Sequence, residues 1–196
     1  NHEIAGAGIM LAAVAGTEST LKDHIRAREI AWKNSAILKE ERTSAYGHGA
    51  KFVVFTAEKE KTGEVFAGAL ERTLFSLNYK AYYLGIENVV RGLDADLHFD
   101  SELRDEHIRR IGELARIMTD AGQIFITSLS GIDDYDLKTL ELLNSPNEII
   151  VINIGENRFD GYRPALNLSA GTDVHDGVEA VCSLLREKKV ILEYQI

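Results

Sequence analysis

Short apolar runs at 52–56, 80–84, 123–128, 148–154 and 164–168 alternate with segments of helical apolar spacing at 63–77, 101–121, 134–144 and 174–187. Strands separated by helices of this length predict a parallel sheet covered by helices on both faces, a three-layer α/β fold. In such folds ligands sit beyond the carboxyl ends of the strands. Residues 1–16 read as a strand or extended arm, and 18–42 as a charged helix or two with Leu21, Ile25, Ile30, Ala31 and Leu38 as apolar points. The expected organisation is therefore an N-terminal extension over 1–42 and a main domain over 43–196.

The segment between the first strand and its helix carries the sharpest chemical signal. A strand, a loop of about eight residues and a helix is the setting of a phosphate-binding loop, which needs G-x-x-x-x-G-K-[ST]. Here Ala57-Glu58-Lys59-Glu60-Lys61-Thr62-Gly63-Glu64 offers one glycine out of register and carboxylates at Glu58, Glu60 and Glu64 where phosphate would lie. At about 4 Å and an effective dielectric near 20, each carboxylate–phosphate contact costs on the order of 4 kcal/mol. Lys59 and Lys61 offset that only in part.

Composition removes several function classes. The net charge of −9 opposes nucleic acid as a partner, because phosphate neutralisation supplies most of that affinity. The single cysteine, Cys182, lies at helical spacing with Val178, Val181 and Leu185, which marks a buried structural thiol suited to a reducing cytoplasm. Ile4–Gly16 is too short and glycine-rich to span a bilayer, and no basic segment precedes it to make a signal peptide. The six histidines show no metal-ligand spacing, so no metal site is expected. No G-x-S-x-G elbow is present.

In the helix at 101–121, Ile108, Ile111, Ala115 and Met118 form a buried stripe, and Arg104 falls on the same stripe one turn earlier. A cation near a helix N-terminus opposes the helix dipole. Arg104 therefore either reaches water or a carboxylate past the helix end, or binds an anion at the rim of the sheet.

The motifs over 82–122 carry a resemblance to a known family. Tyr82-Tyr83-Leu84-Gly85-Ile86-Glu87-Asn88-Val89-Val90-Arg91-Gly92-Leu93, Asp96-Leu97-His98-Phe99, Arg104, Glu106–Glu113 and Asp120-Ala121-Gly122 closely resemble the adenylylsulfate kinases. That family reads L-D-G-D-N-V-R-x-G-L, D-L-G-F-S, R-x-E-N-I-R-R-I-G-E and A-D-A-G in the same order. His48–Leu74 aligns through the altered loop without a gap, and the likeness covers roughly 36–187. It implies a P-loop fold and a reaction in which ATP phosphorylates the 3′-hydroxyl of adenylylsulfate.

Carried over residue by residue, the resemblance implies depleted machinery. The family's phosphate-binding lysine falls on Gly63 and its magnesium-binding hydroxyl on Glu64. Its candidate base falls on Gly85, the second aspartate on Glu87, the arginine of N-V-R on Val90 and the asparagine of E-N-I-R-R on His107. S-F-I-S-P-Y-R appears as Ser128–Asp134, and a lid of several dozen residues is reduced to little more than Gly155–Pro164. What survives is a residual pocket. Phe99 matches the phenylalanine that stacks on adenine, though it reads equally as a core aromatic. Arg104 and Arg109 match arginines near the anionic end, and Asn88, Arg91 and His107 complete the set.

The expected function is thus a catalytically inactive adenylylsulfate kinase-like domain serving assembly or regulation in sulfate activation. Two alternatives stand beside it: an adenine-nucleotide sensor, and an active kinase with an atypical phosphate site. No cofactor is expected, Mg-ATP entering only under the last reading. Expected partners are a second copy of the chain and sulfate adenylyltransferase domains or subunits, with an adenine nucleotide as ligand under the sensor reading, in the cytoplasm and away from membranes. Asn1-His2-Glu3-Ile4-Ala5-Gly6-Ala7-Gly8-Ile9 resembles the closing strand of the GTPase subunit of sulfate adenylyltransferase, so a fusion of the two is expected, and the apolar arm at 4–15 is expected to pack rather than hang in solvent.

Overall fold

A computed structural model describes residues 19–93, 104–156 and 159–192. The arm at 1–16 lies outside the described residues. The chain divides into two compact units, Asn1–Ala36 and Ile37–Ile196. The first contains helix α1 over 19–31.

The second unit holds a five-stranded parallel sheet built from β1 (Lys51–Ala57), β2 (Ala81–Leu84), β3 (Ile124–Ser130), β4 (Ile149–Ile154) and β5 (Leu166–Leu168), in the order β2-β3-β1-β4-β5. The helices are α2 (Lys39–Tyr46), α3 (Glu60–Ser76), a single turn α4 (Ile86–Asn88) that runs into a π-helical turn at Val89–Leu93, α5 (Arg104–Asp120), α6 (Asp134–Asn144) and α7 (Val174–Glu187). Among the described residues, no helix is long and apolar enough to cross a membrane.

The period-two alternation of a strand distributes the core between two layers. Val53 and Phe55 of β1 meet Phe66, Leu70 and Leu74 of α3 and Val181 and Leu185 of α7. Phe52 and Val54 face the other way, onto Ile108, Ile111 and Ala115 of α5 and Leu137 and Leu140 of α6. Cys182 is buried in the first layer, where desolvation raises its pKa.

A helix cap and the strand order shape the carboxyl edge of the sheet. Asp133 caps α6 by accepting hydrogen bonds from the N–H groups of Tyr135 (2.9 Å) and Asp136 (3.0 Å), and Asp136 returns the bond by accepting from Asp133 N–H at 3.0 Å. This is a carboxylate version of the capping box. The order of the strands places the ends of β1 and β3 side by side, with Ala57 opposite Ser130. The crossover leaving β1 runs toward β2 and the one leaving β3 runs the opposite way toward β4, so a ligand crevice is expected between their ends.

Candidate functional site

The β1–α3 junction departs from the expected loop. Helix α3 begins at Glu60, so only Glu58 and Lys59 connect strand to helix, and the expected eight-residue loop is corrected to two residues. Thr62 N–H already donates to Lys59 carbonyl at 3.0 Å, closing the first turn where a phosphate cradle would open. Gly63 explains how the helix sits so close. A Cβ built on it would lie 2.2 Å from Ser128 Oγ on β3, whose hydroxyl is buried without a hydrogen-bond partner. Any side chain at 63 meets the sheet before it meets a ligand.

The local field is negative. Burial pushes the Tyr83 phenol up to about 12, and the carboxylates of Glu64, Glu60 and Glu71 push in the same direction. Glu71 also accepts a hydrogen bond from Tyr83 N–H at 2.7 Å on the outer edge of β2. Of the loop residues, Ala57 is buried, Glu58 and Glu60 are exposed, and Glu64 is half-buried in the first turn of α3.

Beyond the ends of β2 and β3 lies a cleft of about 370 Å³. Ile86, Val90, Ile108, Ile111, Leu129 and Ile132 provide apolar walls, and Glu60, Arg104, His107 and Ser130 provide its polar groups. The structure thus brings Arg104, His107 and Glu60 of the expected set together. Val90, where the family arginine would reach in, contributes only a hydrocarbon surface.

The other expected residues do not converge there. Arg104 itself donates to the buried Asp136 carboxylate and to Gly131 carbonyl, so its carboxylate-pairing alternative is the one realised. Burial holds Asp136 above the ordinary carboxylate value, against the pull of Asp133 N–H and the Arg104 guanidinium. Arg109 forms a two-pronged pair with Glu106 at 2.6 and 2.7 Å, and Arg110 joins it at 2.8 Å while also donating to Leu93 carbonyl at 2.8 Å. The Arg109 hydrogen bond above all, with Arg110, holds Glu106 down to about 2, despite partial burial. Arg91 pairs with Glu87 at 2.8 Å with 81% of its side chain exposed, and so stays on the outer surface. Asn88 is exposed at the end of α4. Phe99 lies outside the described residues.

Residues 155–165 carry the chain from β4 to β5, with no helix among the described ones. Asp134 fastens this connection to α6 by accepting hydrogen bonds from Asp160, Gly161 and Tyr162 N–H at 2.9, 3.0 and 3.0 Å. Those bonds, Gly161 first, hold its carboxyl below the ordinary value. Tyr162 hydroxyl adds a bond to Glu141 at 2.9 Å. Asp134 occupies the position of the last arginine in the family's S-F-I-S-P-Y-R. Sequence reasoning missed this clamp and the Asp136 partner of Arg104. The Asp133-x-x-Asp136 capping pattern was the only signal for either.

Among the described residues no cluster of three or more His, Cys, Asp or Glu could hold a metal ion.

Residues 50–138 match the adenylylsulphate kinase family. An adenylyl-sulfate kinase of Staphylococcus epidermidis is 34% identical over 123 residues, covering 63% of this chain and 62% of that protein. One from Citrobacter koseri is 32% identical over 130 residues, covering 66% of this chain and 60% of its own length. The chain thus spans about three-fifths of the relatives it matches. Among solved structures, the Mycobacterium tuberculosis APS kinase in complex with AMPPNP and APS superposes with a TM-score of 0.62 at 20% identity, over 71% of this chain and 99% of that one. The hexameric APS kinase from Thiobacillus denitrificans gives 0.66 at 19% identity, over 75% and 31%. Those likenesses show the fold, and the sequence matches carry the kinship. Over residues 50–138 the chain is similar to the adenylylsulfate kinases, and its sheet and helices have the P-loop kinase fold of those solved structures.

Proposed function

We propose that this is an adenylylsulfate kinase-like domain of a sulfate-activation protein that has lost phosphoryl transfer and serves assembly or regulation. The observation that carries the reading is the start of α3 at Glu60, with Gly63 seated against Ser128 where the family's lysine would reach phosphate. Catalysis of phosphoryl transfer is almost entirely positioning and electrostatic stabilisation. The described junction offers no cradle and has glycine, not lysine, at 63, and three carboxylates bear on Tyr83 beside it. The arginines of the acceptor side face carboxylates of the same chain. Mg-ATP is accordingly not a required cofactor under this reading. A homodimer, or attachment to sulfate adenylyltransferase domains in the cytoplasm, is the setting proposed for it.

A sensor role is the second reading, favoured by the cleft of about 370 Å³ at the crevice of the sheet. A coupled assay with Mg-ATP and adenylylsulfate tests the first. The expected rate is indistinguishable from background. Turnover of even ~0.1 per second, set against about 1–100 per second for kinases, would establish the active-kinase alternative instead.

A further inference from the structure

We propose that a cleft at the amino end of the sheet, between the last turns of α7 and the segment that follows it, binds a small organic anion with an oxyanion head and an apolar body. The site lies at the opposite end of the domain from the β1–β3 crevice, and it does not depend on whether phosphate is transferred there.

The cleft has a volume of about 520 Å³ and is lined by Ser183, Arg186 and Glu187 of α7 and by Lys189, Ile191 and Leu192 of the return segment. That volume lies within the ~300–1,000 Å³ typical of small-molecule sites. Both walls are fixed. Val190 N–H donates to Leu185 carbonyl and Gly49 N–H to Val190 carbonyl, each at 2.8 Å, and Ile191 forms an antiparallel bridge with His48 just ahead of β1. Tyr79 hydroxyl donates to Leu192 carbonyl at 3.1 Å. Leu192 is thereby pinned through its backbone although it is 62% exposed, and it sets an apolar lip beside the buried Ile191. Such a lip favours a ligand that brings apolar surface of its own.

Charge selects the head group. Arg186 is half-buried, yet among the described residues no carboxylate or carbonyl pairs with its guanidinium. The other buried or half-buried arginines have partners: Arg28 in Glu29, Arg42 in Tyr46, Arg109 and Arg110 in Glu106, and Arg116 in Asp120. Lys188 also faces a carboxylate, since Lys51 foremost, then Lys188 and Lys39, hold Glu148 below its ordinary value. Lys189 faces none among the described residues. A guanidinium fork meets a carboxylate or phosphate through two parallel hydrogen bonds, and Lys189 and Ser183 add further donors. Glu187 is the one carboxylate in the lining, against two cations.

The backbone at Lys189 supplies an independent reason. Its φ is +55°, the left-handed conformation that ends α7 as its N–H closes onto Arg186 carbonyl at 2.8 Å. Glycine is the usual residue at such a position, because a Cβ there is strained. The negative pole of α7 draws cations to its end, which accounts for a positive charge but not for a lysine where glycine fits better. A side chain kept at a backbone cost, lining a cleft beside an unpaired arginine, fits a residue held for its ammonium group.

Phenylbutyrate, phenyl phosphate and the neutral phenylbutyramide make the test, titrated at constant ionic strength into the isotope-labelled full chain and followed by amide shifts. Both anions are expected to perturb residues 183–192, the tighter with a Kd below ~10 mM and the amide at least about fivefold weaker. Whichever anion binds more tightly identifies the head group. Arg186→Gln should weaken the anions by about fivefold or more. Lys189→Gly should weaken them by about threefold while raising the urea midpoint, a split that a purely structural lysine would not give. No perturbation of 183–192, perturbation confined to Ile108 and Ile111, an amide as tight as the acid, or parental affinity in either variant would each overturn the proposal.

Discussion

Adding one methyl group at Gly63 perturbs the junction with least ambiguity. Its Cβ would lie 2.2 Å from Ser128 Oγ, 3.4 Å from Ser128 Cβ and 3.8 Å from Phe55 Cβ. Only the first distance is impossible, so the strain resides in a single hydroxyl. Overpacking of a tight core costs about 1–3 kcal/mol, and the better helix propensity of alanine returns up to ~1 kcal/mol. Gly63→Ala should therefore destabilise the domain by about 1–2 kcal/mol, or some 2–8 °C in Tm for a unit of roughly this size. Ser128→Ala should be neutral or slightly stabilising, because it removes a buried hydroxyl that has no partner. The double variant should be at least as stable as the parent, which makes the coupling between the two sites about 1–3 kcal/mol. Urea unfolding of the four proteins, with the slope m held constant, measures this directly. Additivity within ~0.5 kcal/mol, or a stabilised Gly63→Ala, would refute the close seating of α3 on β3. The same geometry says that restoring the family's lysine at 63 would damage the fold before it restored any phosphate contact.

Two further predictions concern parts of the domain away from that junction. His48 is buried, its Nδ1–H donating to Gly49 carbonyl and its Nε2 accepting from Lys80 N–H, each at 3.0 Å, and desolvation foremost depresses its pKa. Its neutral form therefore supports the fold fully above the unfolded value of about 6.5, and that support fades as pH falls below it. Urea midpoints should drop between about pH 7 and 5, and His48→Gln should flatten the profile; an unchanged profile in the variant would refute the assignment. Asp134→Ala should release the β4–β5 connection, speeding amide exchange at Asp160, Gly161 and Tyr162 by about tenfold or more while β1 and β3 keep their protection. Equal exchange in variant and parent would show that the connection does not depend on this carboxylate.

The central strands β1, β3 and β4 were readable because they are buried on both faces and announce themselves as mostly apolar runs, as Phe52–Thr56 and Ile149–Ile154 do. The stripe Ile108, Ile111, Ala115 likewise predicted the inner face of α5, and it is buried. The early start of α3 was not readable. Lys59 supplies no side-chain cap, so no local signal marks a helix beginning there. What permits the start is the approach of Gly63 to Ser128, a contact between distant segments. The fate of Arg104 was open for the same reason: the stripe position allowed either an anion or a carboxylate, and only the fold brings Asp136 to it. Val90 was visible as a departure from the family motif, but its meeting with Ile86, Ile108 and Ile111 across one cleft is a tertiary fact. Asp134 shows the limit most plainly. Its sequence position suggested a lost substrate contact, and the structure gives it three backbone donors from the β4–β5 connection.

The measurement that bears most directly on the proposed loss of phosphoryl transfer is a calorimetric titration of the full chain with Mg-ATP. Under the proposed reading, a two-residue connection, a glycine seated on the sheet and carboxylates at 58, 60 and 64 leave no cradle for a triphosphate. No saturable binding is expected up to millimolar nucleotide. Saturable binding with a Kd below ~1 mM, abolished by substitutions between Glu58 and Glu64, would contradict the loss of the phosphate site.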